Sequence, residues 1–505
     1  MLAATLAAAV LRLFHLGAQS LWIDEVLTWY SANVGGPLGV RDVIENVHGP
    51  LYALVVHGMG RWTGDSEWGL RLPSALAGIA TVPAMAWLAH RWIGREAAPW
   101  AAWLAALSPF LIWYSQEARP YAMMILFVCL SSAALLRLAQ SGAEAPARAP
   151  RRGRAALYGG SALAGLLVSP SFAFVLPVQL RWWLADRVAR PQRLRFAALA
   201  IGVLVLAALP FTPQALKTWD WQRLHPGRGA TPGEQSLRGA TTFHPAAIPF
   251  ALHAFAVGYT LGPSLRELRA DPSVATLARH AGELAATGVV FGALSVLALL
   301  ALARRGRLAD ALLWAGIPLL IVSWFALSNF KVFHPRYLAV AAPPFLLGIA
   351  AALADQKPRG RAVLGGALLA LWGISLWHHY TVPGYGKEDQ RGAARLVSAR
   401  IAAREQVIAV NSIDPMLYYY RGSAPLTPFW LGFASDEAML ERRFDDELAG
   451  RPGAWVVLSR PEDLDPAGRF AKQMDTRFPD AERFAFEGVR VWHVRNHAAP
   501  GGARD

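Results

Sequence analysis

Residues 17–50 read GAQSLWIDEVLTWYSANVGGPLGVRDVIENVHGP. Two adjacent carboxylates, Asp24 and Glu25, sit among Leu21, Trp22, Ile23, Val26, Leu27, Trp29 and Tyr30, a setting suited to a membrane surface. An acidic pair in apolar company is either a helix start whose charges the dipole favours or a reactive site. The stretch follows an apolar run at 1–16. Further runs lie at 70–90, 97–114, 121–139, 156–169, 171–187, 196–211, 284–303, 309–327, 336–354 and 362–380. A bilayer crossing takes about 20 apolar residues. The pattern therefore predicts a mainly α, polytopic membrane protein with about 11 transmembrane helices.

Composition agrees with that class. Of 505 residues, 54% are hydrophobic and 17% charged, and 20 are tryptophan, a membrane rather than a soluble profile. Cys129 is the single cysteine, so no intrachain disulfide can form. The net charge of +14 comes from arginines in short clusters between apolar runs, as cytoplasmic loop anchors are placed. No basic stripe or binding motif accompanies it, which excludes a nucleic-acid partner. No GxGxxG or P-loop marks a nucleotide site.

The same arginines orient the chain. Arg91 and Arg95, the 148–154 cluster, the 187–195 cluster, Arg304 to Arg307, and Lys357 to Arg361 occupy alternate connections, which the positive-inside rule places in the cytoplasm. The first run is expected as a retained helix, since no basic segment precedes it and Arg12 lies late in it. The outer set is then 17–69, 115–120, the turn near 170, 212–283, 328–335 and everything after 380. In the first outer loop, 37–47 and 51–62 are too short to cross and read as interfacial helices. In the long outer loop, 212–283, IPFALHAFAVGYTLGP reads as surface-lying or re-entrant.

Near residue 388 the character changes. DQRGAARLVSARIAARE and SDEAMLERRFDDELAG carry helical periodicity, whereas QVIAV, AWVVLS and FAFEGVRVWHV are strand-like. Their alternation predicts a small α/β domain over 388–497, outside the cytoplasm, after a membrane domain of 1–387 and before a tail of 498–505.

Sorted by side, Asp24, Glu25, His48, Gln116, Glu117, Arg119, Lys331, His334 and Arg336 all fall on outer connections or at their membrane junctions. Carboxylates can take a proton from a hydroxyl, and arginine or lysine can hold a departing phosphate. Each residue also has a plainer reading. Glu117 and Arg119 fit a helix start before Pro120 at its first position, Lys331 and Arg336 fit headgroup anchors, and His48 fits a turn.

LWIDEVLTWYSA, HGPLYALVVHGMGRWTGDSEWGLRLPSALAGI, SPFLIWYSQEARPYAM, AFAVGYTLGPSLRELR, HPRYLAVAAPP and YGKEDQRGAARLV occur in that order. Together they resemble the GT-C fold, polyprenyl-phosphate-sugar-dependent membrane glycosyltransferases. The nearest group is the bacterial relatives of the protein O-mannosyltransferases and of the lipid A aminoarabinose transferase. The resemblance implies a multispan enzyme of the bacterial inner membrane that takes a sugar from an undecaprenyl-phosphate-like donor. The acceptor would be a hydroxyl on a protein, lipid or polysaccharide at the outer face, with inversion. It implies Asp24, Glu25 and Glu117 as the catalytic acids, with Asp24 ahead as base. His48, Arg119, Lys331 and Arg336 would be donor-phosphate ligands, and Trp22, Tyr52, Gln116, Tyr121 and His334 substrate-binding residues. In the Pro-Pro-Leu-Tyr motif of the family, the first proline is here Gly49. Arg12 occupies a position often basic in such proteins, and snorkelling is its other reading. The resemblance fixes no cofactor, and a divalent ion among Asp24, Glu25 and Glu117 is an open arrangement. The alternative from another class is a lipid-linked-sugar flippase, which would place ionisable groups near the bilayer midplane.

Overall fold

A computed structural model describes residues 1–33, 49–140, 151–185, 200–209, 243–244, 246–328, 332–411, 413–429, 431, 437–465 and 468–495. His48, Lys331, the interfacial segment 37–47 and the tail 498–505 lie outside the described residues. The chain divides into two compact units: Met1–Leu16, Thr28–Leu261 and Gly282–Leu376 form the first, and Gly17–Leu27, Gly262–Ala281 and Trp377–Asp505 the second. Two segments from the outer loops cluster with the C-terminal residues in the second unit.

The first unit is helical. At its centre runs the 26-residue helix Glu67–Trp92, capped by Ser66, whose hydroxyl accepts from the Gly69 amide. It packs against Leu2–Leu13, Pro50–Thr63, Ala98–Leu107 and Tyr121–Gln140. Its buried residues are rich in alanine and glycine, and small side chains let helices approach closely where lipid supplies no hydrophobic driving force. At Gly78 a Cβ would meet Ser115 Oγ at 2.0 Å and Arg12 Nε at 2.8 Å, so this crossing admits only glycine.

Among the described residues, six helices are long and apolar enough to cross a membrane: Glu67–Trp92, Tyr121–Ala139, Ala281–Arg304, Leu308–Leu327, Pro335–Asp355 and Pro358–Thr381. The chain is thus a multi-span membrane protein. In Ala281–Arg304, Leu308–Leu327 and Pro358–Thr381, 28%, 28% and 22% of the apolar window is buried, so most of each helix faces outward as lipid-exposed helices do. Of the other expected runs, 196–211 lies partly outside the described residues, and the rest form shorter or broken helices. The first is a 12-residue helix, Leu2–Leu13. The 97–114 run breaks into Ala98–Leu107 and Pro109–Ser115, because Pro109 has no N–H to continue the first helix. The 156–187 region forms Arg151–Val168 and Leu176–Ala185 around a 3-10 turn, Pro170–Val175, with Ser169 as its cap. IPFALHAFAV forms the 11-residue helix Ala247–Val257, too short to cross. It ends at Gly258, whose φ of +77° and whose approach to Pro109 a side chain would oppose.

In the second unit, five strands form one sheet of order β2-β1-β3-β5-β4. β1 (Gln406–Val410) runs parallel to both β2 (Leu426–Phe429) and β3 (Gly453–Ser459). β1 and β3 are buried throughout, as parallel strands covered on both faces must be. One face packs Ile408, Val410, Val456, Phe444 and Phe470, and the other packs Val407, Trp455 and Val457 against Ala393, Ala394 and Val397 of the helix Gln390–Arg400. FAFEGVRVWHV is a hairpin of β4 (Glu482–Phe486) and β5 (Val489–Arg495), turned at Gly488. β2 was not expected: Pro428 disguises it, and an edge position is where a strand tolerates proline.

Candidate active site

In the first unit, the segment SQEARPY joins Pro109–Ser115 to Tyr121–Gln140. Glu117 is buried, 4% exposed, and its Oε1 accepts from Trp113 Nε1 at 2.9 Å. The Arg119 amide donates to the Glu117 carbonyl at 2.8 Å, which folds the segment into a tight turn. Arg119 Nη1 donates to Thr28 Oγ1 at 3.3 Å, and its guanidinium lies 6.0 Å from the Tyr121 ring centre. Across from this turn, HPRY opens the 3-10 helix Pro335–Ala341. His334 caps it, accepting from the Arg336 amide at 3.2 Å, and the Arg336 guanidinium lies 5.1 Å from the Tyr337 ring.

Tyr259 joins the two halves. Its hydroxyl shares a 2.6 Å hydrogen bond with Tyr114. Its ring lies 5.2 Å from that of Trp113 and 6.2 Å from that of His334. Burial raises the Tyr259 pKa above the ordinary phenol value; the Glu117 charge adds to the rise and Arg336 opposes it. Tyr259 is therefore a neutral hydroxyl within reach of the fields of both the buried acid and the arginine. Glu117, Arg119, His334 and Arg336, expected as site residues, are thus gathered around one aromatic cluster. The sequence assigned no role to Tyr259. Its signal in the sequence was its place in the motif AFAVGYTLGPSLRELR, directly after a turn glycine.

Several of the residues singled out in the sequence have structural partners here. Gln116, expected to bind substrate, donates its side-chain amide to the carbonyls of Leu11, Arg12 and Phe14 and so caps the end of Leu2–Leu13. Tyr52 is 2% exposed, and its hydroxyl bonds Ser74 Oγ at 2.8 Å, while Ser74 in turn donates to the Arg119 carbonyl at 2.9 Å. It supports the Arg119 turn from within the core. Arg12 does not snorkel. It is fully buried and donates to the carbonyls of Ala105 at 2.8 Å and Ala106 at 2.9 Å and to Ser115 Oγ at 3.1 Å. Tyr121 is also buried, edge-on to Tyr114 at 5.1 Å.

In the second unit, Asp24 and Glu25 lie in the first turn of the helix Ile23–Asn33, where the dipole favours negative charge. The two carboxylates differ in surroundings. Glu25 is fully buried, and its Oε2 accepts from Lys387 Nζ at 3.0 Å. Asp24 and Trp22 are half-buried. Among the described residues, no group of three or more His, Cys, Asp or Glu side chains is arranged to hold a metal ion.

In fold, the chain, with its helical membrane unit and small α/β unit, is similar to solved structures of the GT-C type. Residues 47–214 match the family model of dolichyl-phosphate-mannose-protein mannosyltransferases. Among solved structures, ArnT from Cupriavidus metallidurans bound to undecaprenyl phosphate is similar at a TM-score of 0.57 and 15% identity, over 99% of this chain and 98% of that one. The apo form of the same protein matches at 0.56 and 14%, over 97% of both chains. The archaeal oligosaccharyltransferase AglB from Archaeoglobus fulgidus, in complex with an inhibitory peptide and a dolichol-phosphate, matches at 0.55 and 11%, over 99% of this chain and 74% of that one. No curated protein sequence matches the chain.

Proposed function

We propose that this protein transfers a sugar from a polyprenyl-phosphate carrier to an acceptor hydroxyl at the outer face of a bacterial inner membrane. The observation that carries the reading is the first-unit cluster, where buried Glu117 shares one aromatic surround with Arg336 in a chain of GT-C fold. A similar structure that binds undecaprenyl phosphate supports the donor class, and the mannosyltransferase family match supports sugar transfer.

In this reading, the acceptor oxygen attacks the anomeric carbon from the face opposite the phosphate, so the configuration inverts. The bond between the anomeric carbon and the phosphate oxygen breaks, and the phosphate keeps the electron pair. Arg119 and Arg336 bind that phosphate, because guanidinium groups match its geometry and stay charged. The acceptor proton passes to Asp24, the more exposed of the first-loop carboxylates. The neutral Tyr259 hydroxyl is suited to orient the sugar. Because the lipid phosphate is the leaving group, no nucleotide is needed. The acceptor is a protein, lipid or glycan hydroxyl.

The test is Asp24→Asn in purified, reconstituted protein, given a panel of undecaprenyl-phosphate pentoses and hexoses, with release of undecaprenyl phosphate as the readout. Removing a general base costs about 10²–10⁴-fold in rate. Full activity in a folded, inserted Asp24→Asn protein overturns the assignment of Asp24. Absence of release by the wild type from every donor overturns the reaction class.

A further inference from the structure

The sequence left the α/β domain without a task, and the second unit supplies one. The stretch Gly17–Leu21, just ahead of Asp24, forms no helix or strand of its own. Its polar groups are held by side chains and amides from residues more than 360 positions away (sequence separations of 368 to 398). The Lys387 amide donates to Gln19 Oε1 at 3.2 Å. Ser20 Oγ donates to Asp389 Oδ1 at 3.2 Å and accepts from the Arg391 amide at 3.2 Å. The Arg391 guanidinium donates to the carbonyls of Gly17 and Ala18. The Leu21 amide donates to Tyr419 Oη at 2.7 Å. One residue past Asp24, Glu25 closes the set on Lys387.

The holding side is rigid. Asp389 caps the helix Gln390–Arg400, accepting from the Gly392 amide at 2.9 Å, and that helix buries Ala393, Ala394 and Val397 against the sheet. The chain of contacts thus runs from the sheet through a capped helix to the backbone that presents Asp24. The Glu25–Lys387 pair has a particular place in it. Both charges are withdrawn from water, with side-chain exposures of 0% and 9%. Desolvation offsets much of what such a pair contributes to stability, whereas its geometry is strongly specified. An ion pair of this kind next to a reactive carboxylate is suited to aiming it.

We propose that the C-terminal α/β domain is a clamp on the first loop, with Lys387 and Arg391 as positioning residues that set the direction of the Asp24 carboxylate. The proposal rests on the reading of Asp24 as the base. The clamp itself can be tested without turnover. In full-length reconstituted protein, Lys387→Met should lose hydrogen-exchange protection at residues 18–26 while β3, at Trp455–Leu458, keeps its own. With a donor that the wild type accepts, kcat should fall about 10²-fold, as for a group misplaced by about 1 Å, with KM unchanged. Lys387→Arg, which keeps the charge, should restore part of both. If Lys387→Met does not fold, Arg391→Ala carries the same two readouts.

Unchanged exchange at 18–26 in these variants overturns the clamp. So does lost protection accompanied by an undiminished kcat. If the wild type transfers no sugar, the proposed function fails, and the exchange measurement still decides whether the domain holds the loop.

Discussion

Arg12→Met tests whether the buried arginine organises the first unit. The Arg12 guanidinium donates to the carbonyls of Ala105 and Ala106 at 2.8 and 2.9 Å. These belong to the last turn of Ala98–Leu107, where helix carbonyls have no intrahelical donor. Four residues after Ala105 stands Pro109, which has no N–H, so the break that splits the expected 97–114 span also creates the need for Arg12. Methionine would fill much of the volume and remove a buried charge, which by itself can be neutral or favourable. It would leave two carbonyls buried without their donor, at about 1–3 kcal/mol each, so the expected loss is roughly 2–6 kcal/mol. Arg12→Lys should fall between, since an ammonium is a point charge and not a planar fork. The assay is denaturant unfolding of detergent-solubilised protein, followed by tryptophan fluorescence. Transfer activity should fall as well, because Arg12 also holds Ser115 at 3.1 Å, two residues before Glu117. Arg12→Met stability within about 0.5 kcal/mol of the wild type, the range of an ordinary surface change, would refute the reasoning.

Two further outcomes follow from other contacts. Tyr259→Phe removes the partner of the buried Tyr114 hydroxyl and should cost about 1–3 kcal/mol. The double change with Tyr114→Phe should recover most of that in the same unfolding assay, since neither polar group is then left behind; equal losses in single and double variants would contradict the pairing. Asp475 is pushed up by burial but held down more strongly by hydrogen bonds from Arg483 Nε at 2.7 Å and Trp492 Nε1 at 3.0 Å, so its pKa lies below the ordinary 3.8. A depressed carboxylate contributes stability that is present above its unfolded value and is lost as pH falls through the folded one. The sheet of the wild type should therefore lose exchange protection below pH 3.8 more steeply than that of Asp475→Asn, and parallel pH profiles would remove Asp475 from the account.

Much of the architecture was legible in the sequence because it is local. Six of the eleven expected apolar runs are helices of spanning length among the described residues, since about 20 apolar residues in lipid leave the backbone no other way to satisfy its hydrogen bonds. QVIAV, AWVVLS and the helical patterns of the α/β domain also need only their own periodicity, and they emerged as expected. The ordered motifs pointed to the GT-C fold, which the structural matches show. The acidic pair, too, was visible as the start of a helix.

Tertiary structure decided what each polar residue does. Gln116, Tyr52 and Arg12 look from the sequence like their neighbours Glu117 and Arg119. Only packing shows that the first three spend their donors on backbone and on Ser74. Tyr114 and Tyr259 are 145 residues apart, and Glu25 and Lys387 are 362 apart. At such separations no local pattern specifies a partner. The choice is made by which elements pack together and by the cost of leaving a buried polar group unpaired. So the residues 17–50 announced a carboxylate pair at a membrane surface. The fold then separated its members, burying Glu25 on Lys387 and leaving Asp24 half-exposed beside it.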